Sequence, residues 1–400
     1  MHSTRSATRR ADTSSRRDTE PRSKFGIGAM DHTIYLVVVI LVLFGIMMVF
    51  SSSYVVTGRS ALHGFDSFYF LRRHIPLALL GFVAMNVMAN FNYRFLKRFA
   101  MPLYTASLGL LLFTAVYSLA IHGARRWIMI FGIQFQPSEV AKVALILVLA
   151  RVISRNRDIL VKWPGFLFCC AIVGVLAVFV AVGNLSTAII IAIIGGGMIF
   201  MSSPHVLRFI VAAVLAVGGM LSYLYVMAFQ SHLLPEAMGG QFRGSRFMAW
   251  INPFDDMQGF GFQIVQSLYA IASGGLFGLG IGQSRQKTFL PEVHNDVIFS
   301  VICEELGFVG AAIVLLLFGI LIWRGLMIAM NATDSFGALV AVGIVLMIAS
   351  QVIINVAVVT NSIPNTGIPM PFISYGGTAL VVCMGCMGIL LNISRHSKLE

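Results

Sequence analysis

The sequence reads Leu290-Pro-Glu-Val-His-Asn-Asp296 and then continues, from Val297 to Trp323, as an almost unbroken apolar run. A run of this length is sufficient for a helix that crosses the hydrocarbon core of a membrane. Asp296 therefore lies at the mouth of a predicted transmembrane helix, where an acidic side chain is costly and by default indicates a functional site. The glycine-rich segment 274–287 just upstream supplies two cations. Together these features suit chemistry on a lipid-linked anionic substrate.

The composition indicates an integral membrane protein. Of the 400 residues, 58% are hydrophobic and only 11% are charged, whereas soluble proteins carry roughly 25% charged residues. Apolar runs long enough to predict spanning helices occur at 34–53, 73–92, 99–121, 138–153, 164–182, 185–201, 205–229, 297–323, 335–360 and 376–393. We therefore predict an all-α polytopic membrane protein with about ten transmembrane helices.

The distribution of Lys and Arg predicts the orientation of the chain. Most of the 28 Lys and Arg residues fall on the side of the N-terminus, and such a bias marks the cytoplasmic side of a membrane protein. Both termini are therefore expected in the cytoplasm, and the segment of about 230–296 is expected to form one large extracytoplasmic loop. The first apolar run, which begins at Ile34, is interpreted as a signal anchor.

Three regions follow from this reading. Residues 1–30 are polar and basic, which predicts a disordered cytoplasmic tail near anionic lipid headgroups. Residues 31–395 form the predicted ten-helix membrane domain, and residues 396–400 form a short cytoplasmic C-terminal tail. The net charge of +12 is thus explained by the membrane topology, and we expect no nucleic-acid partner.

The five cysteines all lie within apolar runs. Cys383-Met-Gly-Cys386 has the spacing of a redox motif, but it falls inside a predicted membrane helix. We interpret the cysteines as small apolar core residues, and they predict neither a disulfide nor a metal site.

The stretch Gln136-Pro-Ser-Glu139-Val-Ala-Lys142 contains a candidate functional ion pair. Proline is favoured in the first helical turn, so a helix is predicted to begin near Gln136. Glu139 then lies where the helix dipole favours a negative charge, and Lys142 shares its face. The pair either completes the end of a helix or serves a site, and the position of Lys142 inside an apolar run favours the site.

Four arginines are candidate ligands for a diphosphate. Arg125 and Arg126 lie in Gly123-Ala-Arg-Arg-Trp127, and Arg243 and Arg246 lie in a similar polar stretch. A guanidinium binds phosphate through a planar fork of donors. The alternative is that these residues only anchor the chain at the membrane surface, where Arg and Trp are common.

A loop rich in proline and glycine, residues 365–377, separates the last two predicted helices. Irregular backbone at membrane depth is tolerated only where protein or a watery cavity covers it, so this loop is expected to line the same cavity as Asp296. Ser374 of this loop, together with Lys287 and His294, completes the predicted substrate-binding set.

Glu304 and Glu305 follow Asp296 along the same predicted helix. They are expected roughly 12–14 Å deeper in the membrane, where each carboxylate needs a partner or a proton. Lys142 and a buried amide are both possible partners, and the sequence leaves their role open.

Together these motifs resemble the SEDS family of peptidoglycan polymerases, which includes RodA, SpoVE and FtsW. The likeness covers residues 31–395, and the run Ser284-Arg-Gln-Lys287 is closer to the FtsW/SpoVE branch. Phe289 and Val297 stand where Tyr and Phe are usual. The motifs that carry the resemblance are Asp31, Val49–Ser53, Ala124–Trp127, Gln136–Glu139, Asn252–Phe254, Gln283–Lys287, Leu290–Asp296, Glu304-Glu305 and Ile368–Gly377.

The resemblance implies a peptidoglycan glycosyltransferase that polymerises lipid II during cell division and releases undecaprenyl diphosphate. It also implies a place in the bacterial plasma membrane, at the division septum, beside a class B penicillin-binding protein and other division proteins. Asp296 is then the general base that deprotonates the acceptor hydroxyl, and Glu139 and Lys142 position or tune it. The leaving diphosphate needs positive charge, from the arginines or from a divalent cation such as Mg²⁺ or Mn²⁺.

Two other functions are compatible with the same helices. A lipid II flippase would use intramembrane charges and, as a transporter, is expected to show inverted repeats and broken helices. A non-catalytic scaffold for a class B penicillin-binding protein would leave Asp296 replaceable. The candidate charges cluster on one face of the predicted membrane domain, which favours an enzyme acting on exported substrate.

Overall fold

A computed structural model describes residues 30–58, 65–117, 128–130, 133–209, 211–212, 214, 218–219, 222, 240–255, 257, 259–290 and 293–397. Its helices are α1 (His32–Gly58), α2 (Tyr69–Asn90), α3 (Leu96–Tyr117), α4 (Pro137–Arg155), α5 (Trp163–Gly183), α6 (Leu185–Ser202), α7 (Gly240–Ile251), α8 (Phe260–Gly274), α9 (Ile298–Asn331), α10 (Ser335–Val359) and α11 (Gly377–Arg395). Single 3-10 turns occur at Tyr93–Phe95, Arg157–Leu160 and Gln286–Thr288. A short antiparallel hairpin, β1 (Ile128–Ile130) and β2 (Ile133–Phe135), precedes α4.

The predicted all-α polytopic architecture is confirmed. Within the described chain, six helices (α1, α5, α6, α9, α10 and α11) are long and apolar enough to cross a membrane. The pair α2 and α3, which meet at 91°, adds at most one bent span. Every predicted apolar run except 205–229 coincides with a helix, and that run lies mostly outside the described residues. The count of ten spans therefore stays a prediction.

The large loop predicted at about 230–296 contains regular structure. From residue 240 onward it holds α7, α8 and the turn Gln286–Thr288, while residues 223–239 lie outside the described chain. The β1–β2 hairpin was not predicted either. It lies beside the start of α11, where Thr378 Oγ1 accepts a 3.4 Å hydrogen bond from the amide of Gln136.

The bundle has two distinct ends. Ser51 of α1 contacts Glu305 near the start of α9, whereas Asp31 contacts Arg324 further along the same helix. About 30 Å of helix separates positions 305 and 324 at 1.5 Å per residue, so α1 and α9 run antiparallel. We refer below to the Asp296 end, which precedes α9, and to the Asp31 end.

Among the six apolar spans, α10 and α11 are the most buried. Within their spans, 67% and 72% of the residues are buried, compared with 28% in α5. Close helix contact depends on small residues at the interface. At Gly388 of α11, an added Cβ would lie 2.3 Å from the carbonyl oxygen of Met85 in α2. Any residue larger than glycine at position 388 would therefore collide with α2.

α9 is broken in its first third, which the apolar run did not predict. Gly307 adopts φ +68°, and the amides of Phe308 and Val309 donate to the carbonyls of Gly275 and Leu276 instead of to their own helix. The segment Gly275–Lys287, which we call the strap, crosses α9 at this break. The break therefore exchanges helical hydrogen bonds for bonds to the strap.

Candidate functional site

Asp296 lies at the mouth of α9 and is half-buried. Its carbonyl oxygen accepts a 2.7 Å hydrogen bond from Asn355 Nδ2, and the same amide nitrogen donates to the carbonyl of Ile368 at 2.7 Å. Asn355 is buried in α10, so one side chain ties the Asp296 loop to the loop between α10 and α11. Asn355 was not among the predicted site residues, although a polar residue in an apolar helix is itself a functional signal.

His294 belongs to an aromatic cluster beside Asp296. Its ring centroid lies 3.8 Å from that of Phe70 and 5.4 Å from that of Tyr375, and its carbonyl accepts from the Tyr375 amide at 2.8 Å. Burial raises the pKa of Tyr375, partly opposed by the charge of Arg73. The phenol therefore stays neutral at ordinary pH. The predicted role of His294 in substrate binding stays a prediction.

Glu139 and Lys142 form a buried ion pair at the start of α4. Lys142 Nζ lies 2.9 Å from Glu139 Oε1, and the side chains are only 1% and 5% exposed, respectively. Glu139 also lines a cavity of about 20 Å³, which has room for a water molecule. The other residues around this cavity are Gln351, Pro369, Met370, Pro371, Phe372, Ser374, Gly376, Ala379, Leu380 and Cys383.

The loop between α10 and α11 connects the two candidate catalytic regions. On one side its residues Ile368 and Tyr375 are tied to the Asp296 loop. On the other side its residues 369–376 wall the cavity that contains Glu139. Both regions therefore border one loop. Asp296 is not among the residues that line this cavity, so the predicted cavity shared by Asp296 and the loop stays a prediction.

Ser374 shapes this loop from within. Its hydroxyl accepts from the Met370 amide at 2.8 Å, and its own amide donates to the Met370 carbonyl at 3.1 Å. The side chain is buried and also lines the cavity. Its hydrogen bond is thus engaged within the loop, and the predicted contact with substrate stays a prediction.

Lys287, Glu304 and Glu305 form a second buried cluster. Lys287 Nζ donates to the carbonyl of Gly282 at 2.6 Å and lies 3.4 Å from Glu305 Oε1. All three side chains are buried. The partner of Glu305 is therefore Lys287 and not Lys142, which the sequence analysis had considered. Because the ammonium of Lys287 is engaged inside the protein, its role toward substrate stays a prediction.

The four predicted arginines are placed only in part. Arg125 and Arg126 lie outside the described residues, as does the side chain of Arg243. Arg246 is half-buried on α7, on the same face as Trp250, whose Nε1 donates to the carbonyl of Asn361 at 3.0 Å. This contact holds α7 against the loop between α10 and α11, at the Asp296 end.

The donor set near Asp296 bears on the predicted divalent cation. Within the described chain, no group of three or more His, Cys, Asp or Glu side chains could hold a metal ion. Mg²⁺ is commonly bound by one or two carboxylates together with substrate phosphates, and Asp296 with a diphosphate fits that arrangement. Metal dependence stays a prediction.

Comparison with known proteins identifies the family. The family described as "Cell cycle protein", which covers FtsW, RodA and SpoVE, matches residues 31–399. Stage V sporulation protein E of Bacillus subtilis is 36% identical over 374 residues, which cover 92% of this chain and 98% of the relative. The "Probable peptidoglycan glycosyltransferase FtsW" of Geobacter sp. strain M18 is 36% identical over 92% of this chain and 97% of its own.

A solved structure agrees with both relatives. A chain from the structure described as "Structural coordination of polymerization and crosslinking by a peptidoglycan synthase complex" superposes with a TM-score of 0.72 at 27% identity. The match covers 93% of this chain and 99% of the other. With the polytopic fold and the motifs at the Asp296 end, these matches show that the chain belongs to the FtsW/RodA/SpoVE family.

Proposed function

We infer that this protein is a peptidoglycan glycosyltransferase, which polymerises lipid II into glycan strands during cell division and releases undecaprenyl diphosphate. FtsW relatives that carry this activity in their names share about 36% identity over more than nine-tenths of the chain. The observation that carries the chemistry is the position of Asp296 at the mouth of α9, where Asn355 holds its main chain.

Asp296 acts as the general base. Its main chain is held by Asn355, which fixes the position of the residue at the mouth of α9. It takes the proton of the acceptor hydroxyl while that oxygen attacks the anomeric carbon of the donor. The bond from this carbon to the diphosphate breaks, and the diphosphate leaves with the bonding electrons. Positioned proton transfer of this kind contributes about 10²–10⁴ in rate.

The leaving diphosphate requires positive charge. Arg246 is on α7 at the Asp296 end, and Arg125, Arg126 and Arg243 are the further candidates from the sequence. A divalent cation, when bound, would neutralise the developing charge in the same way. The arginines act as charge partners and not as proton carriers, because a guanidinium stays protonated near neutral pH.

Glu139 and Lys142 support the site from α4. The pair is buried, and its Glu139 lines the cavity behind the loop between α10 and α11. We assign it the role of fixing that loop and the electrostatic potential around the acceptor.

The partner is a class B penicillin-binding protein, which crosslinks the new glycan, together with other division proteins at the septum. The similar chain of known structure is part of a peptidoglycan synthase complex. In this arrangement the chain spans the plasma membrane with both termini in the cytoplasm, and the Asp296 end faces outward.

The experiment uses the full chain purified with its partner and incubated with labelled lipid II. Wild-type protein is expected to yield glycan polymer on a gel, and Asp296→Asn is expected to yield none. A vesicle assay that measures lipid II flipping runs in parallel. Flipping without polymer, or polymer from Asp296→Asn, would reject the proposed chemistry in favour of the transporter or the scaffold.

A further inference from the structure

Glu304 and Glu305 are neighbours on α9, and their side chains bind two other parts of the structure, the strap and α1. Both side chains are completely buried, and neither has a part in the proposed proton transfer. We propose that they are positioning residues, which fix the strap and thereby set the place of Asp296. This inference rests on the proposed function, because it concerns the same site.

Within the part of the chain that the structure describes, the donors to the Glu304 carboxylate belong to the strap. Its carboxylate accepts from the Ser284 hydroxyl at 2.5 Å and from the amides of Arg285 at 2.9 Å and Gln286 at 3.3 Å. These donors belong to the start of the 3-10 turn Gln286–Thr288. Hydrogen bonds to a carboxylate are about twice as strong as neutral ones, so Glu304 fixes the direction in which the chain leaves the strap.

Glu305 joins the strap to α1. Both of its carboxylate oxygens accept from the Ser51 hydroxyl, at 2.7 and 2.6 Å, and Oε1 lies 3.4 Å from Lys287 Nζ. The same ammonium lies 4.8 Å from the ring centroid of Tyr54. α1, α9 and the strap therefore meet at one buried charge pair.

The main chain of the same two glutamates adds to this attachment. Because α9 is broken at Gly307, the carbonyls of Glu304 and Glu305 are released from the helix. They accept from the amides of Leu279 and Gly280, each at 2.9 Å. Two adjacent residues thus hold the strap from position 279 to position 287 through both their backbone and their side chains.

This attachment closes the loop that carries Asp296. The loop leaves the strap after Lys287 and returns to α9 at Ile298, only a few residues before the two glutamates. Between these ends, Asn355 holds the Asp296 carbonyl and Tyr375 holds the His294 carbonyl. Loss of the anchor at the strap would free one end of the loop and leave the other contacts unchanged.

Burying charged side chains inside a membrane bundle costs free energy. Well-packed apolar residues often stabilise a core as well as a buried ion pair does. The carboxylates instead provide directed acceptors for five donors: Ser51, Ser284, Arg285, Gln286 and Lys287. Directed bonds of this kind fix a geometry, which is what a general base requires.

The first test measures turnover of the complex with its partner, with Glu304→Gln and Glu304→Leu as variants. Misplacement of a catalytic group by about 1 Å costs on the order of 10²-fold in rate. We therefore expect kcat to fall by about tenfold in the Gln variant and about 10²-fold in the Leu variant, with KM for lipid II nearly unchanged. Asp255→Asn is the control, since Asp255 is an exposed carboxylate between α7 and α8 and should leave kcat unchanged.

The second test reports the position of the loop without any activity. Asn295→Cys places a thiol next to Asp296, in a chain whose native cysteines are replaced by alanine. Its reaction with a membrane-impermeant maleimide is expected to accelerate about tenfold or more when Glu304 becomes Leu, which is the effect of losing a hydrogen bond to a charge. The Asp255→Asn control should label at the wild-type rate.

The outcomes separate a positioning role from a structural one. Faster labelling together with lower kcat, both measured well below the melting temperature of each variant, supports the proposal. Unchanged labelling overturns it, whether kcat is unchanged or falls together with the melting temperature. The labelling arm also stands apart from the proposed function, because polymer made by Asp296→Asn would reject that function and leave the labelling result intact.

Discussion

The two ends of the bundle use buried charge in different ways. At the Asp31 end, Asp31 accepts from Arg324 Nε and Nη2 at 3.0 and 2.7 Å and from the amide of Ile34 at 3.1 Å. At the Asp296 end, Glu139, which is paired with Lys142, borders a cavity together with Gln351, whose Oε1 has no partner among the described residues. The Asp31 carboxylate is enclosed by its own partners, whereas the Glu139 carboxylate lies beside a cavity.

The backbone also differs between the two ends: the connections are short at the Asp31 end and irregular at the Asp296 end. At the Asp31 end the connections are short, and Asn392 ties α11 to the α2–α3 turn by accepting from the Tyr93 amide and donating to the Ala89 carbonyl. At the Asp296 end the chain forms the strap, a broken helix and the loop of residues 360–376. Similar polar residues therefore complete helix ends on one side and build an irregular cavity on the other. Burial alone therefore does not distinguish a functional site from an ion pair that only stabilises the fold.

The largest expected effect is at Asp296. Asp296→Asn keeps the size of the side chain and removes the proton acceptor, so polymerisation should fall by about 10²–10⁴-fold. The melting temperature and binding to the partner should stay at wild-type values. Polymer yield from labelled lipid II checks the first expectation, and copurification checks the second. Normal polymerisation by Asp296→Asn would show that Asp296 is not the general base, and the two ends would then no longer differ in chemical role.

The Glu139–Lys142 pair should show the next largest effect. Glu139→Gln or Lys142→Met leaves one uncompensated buried charge, which costs about 3–5 kcal/mol. The double variant should recover the melting temperature, because no unpaired charge is left, but it should not recover polymerisation. The measurement is a double-mutant cycle that follows melting temperature and polymer yield in parallel. Recovery of both the melting temperature and the polymer yield would mean that this pair only stabilises the fold, as we expect for Asp31–Arg324.

The fold was largely predictable because membrane helices are encoded locally. Each predicted run needs only enough consecutive apolar residues to span the bilayer, and the runs at 164–182 and 185–201 match α5 and α6 to within a residue at each end. The boundary between them at Asn184 is also local, since its side chain caps α6 by accepting from the Thr187 amide at 3.2 Å. Local signals of this kind can be read without tertiary information.

The break in α9 and the contacts of the site could not be predicted in this way. An isolated glycine such as Gly307 is tolerated in many helices, and its positive φ depends on the strap, which lies elsewhere in the chain. The partner of Glu305 was missed for the same reason, because Lys287 and Ser51 reach it only through the fold. The pairing of Glu139 with Lys142 was accessible because three residues along a helix is a local distance.

The Asp31–Arg324 ion pair should affect stability and not catalysis. Arg324 is 36% exposed and Asp31 only 3% exposed at their side chains. Asp31→Asn should therefore cost about 2 kcal/mol, between about 1 for an exposed pair and about 3 for a hydrogen bond to a charge. The melting temperature should fall while kcat of the folded protein is retained. A lower kcat at a normal melting temperature would show that this end also serves the reaction.

The smallest expected effect is at Ser374, which belongs to the Asp296 end but has its hydrogen bond inside its own loop. Ser374→Ala removes the acceptor of the Met370 amide, and one neutral hydrogen bond contributes about 0.5–1.5 kcal/mol. If the serine only shapes the loop, the melting temperature should fall slightly and KM for lipid II should stay near the wild-type value. If the hydroxyl turns to the substrate, KM should rise while the melting temperature is unchanged. Ser350→Ala is the matched control, because this buried serine of α10 bonds only to the Met347 carbonyl of its own helix. A KM that rises in Ser374→Ala and not in Ser350→Ala would therefore assign Ser374 to the site, and equal behaviour would assign it to the scaffold.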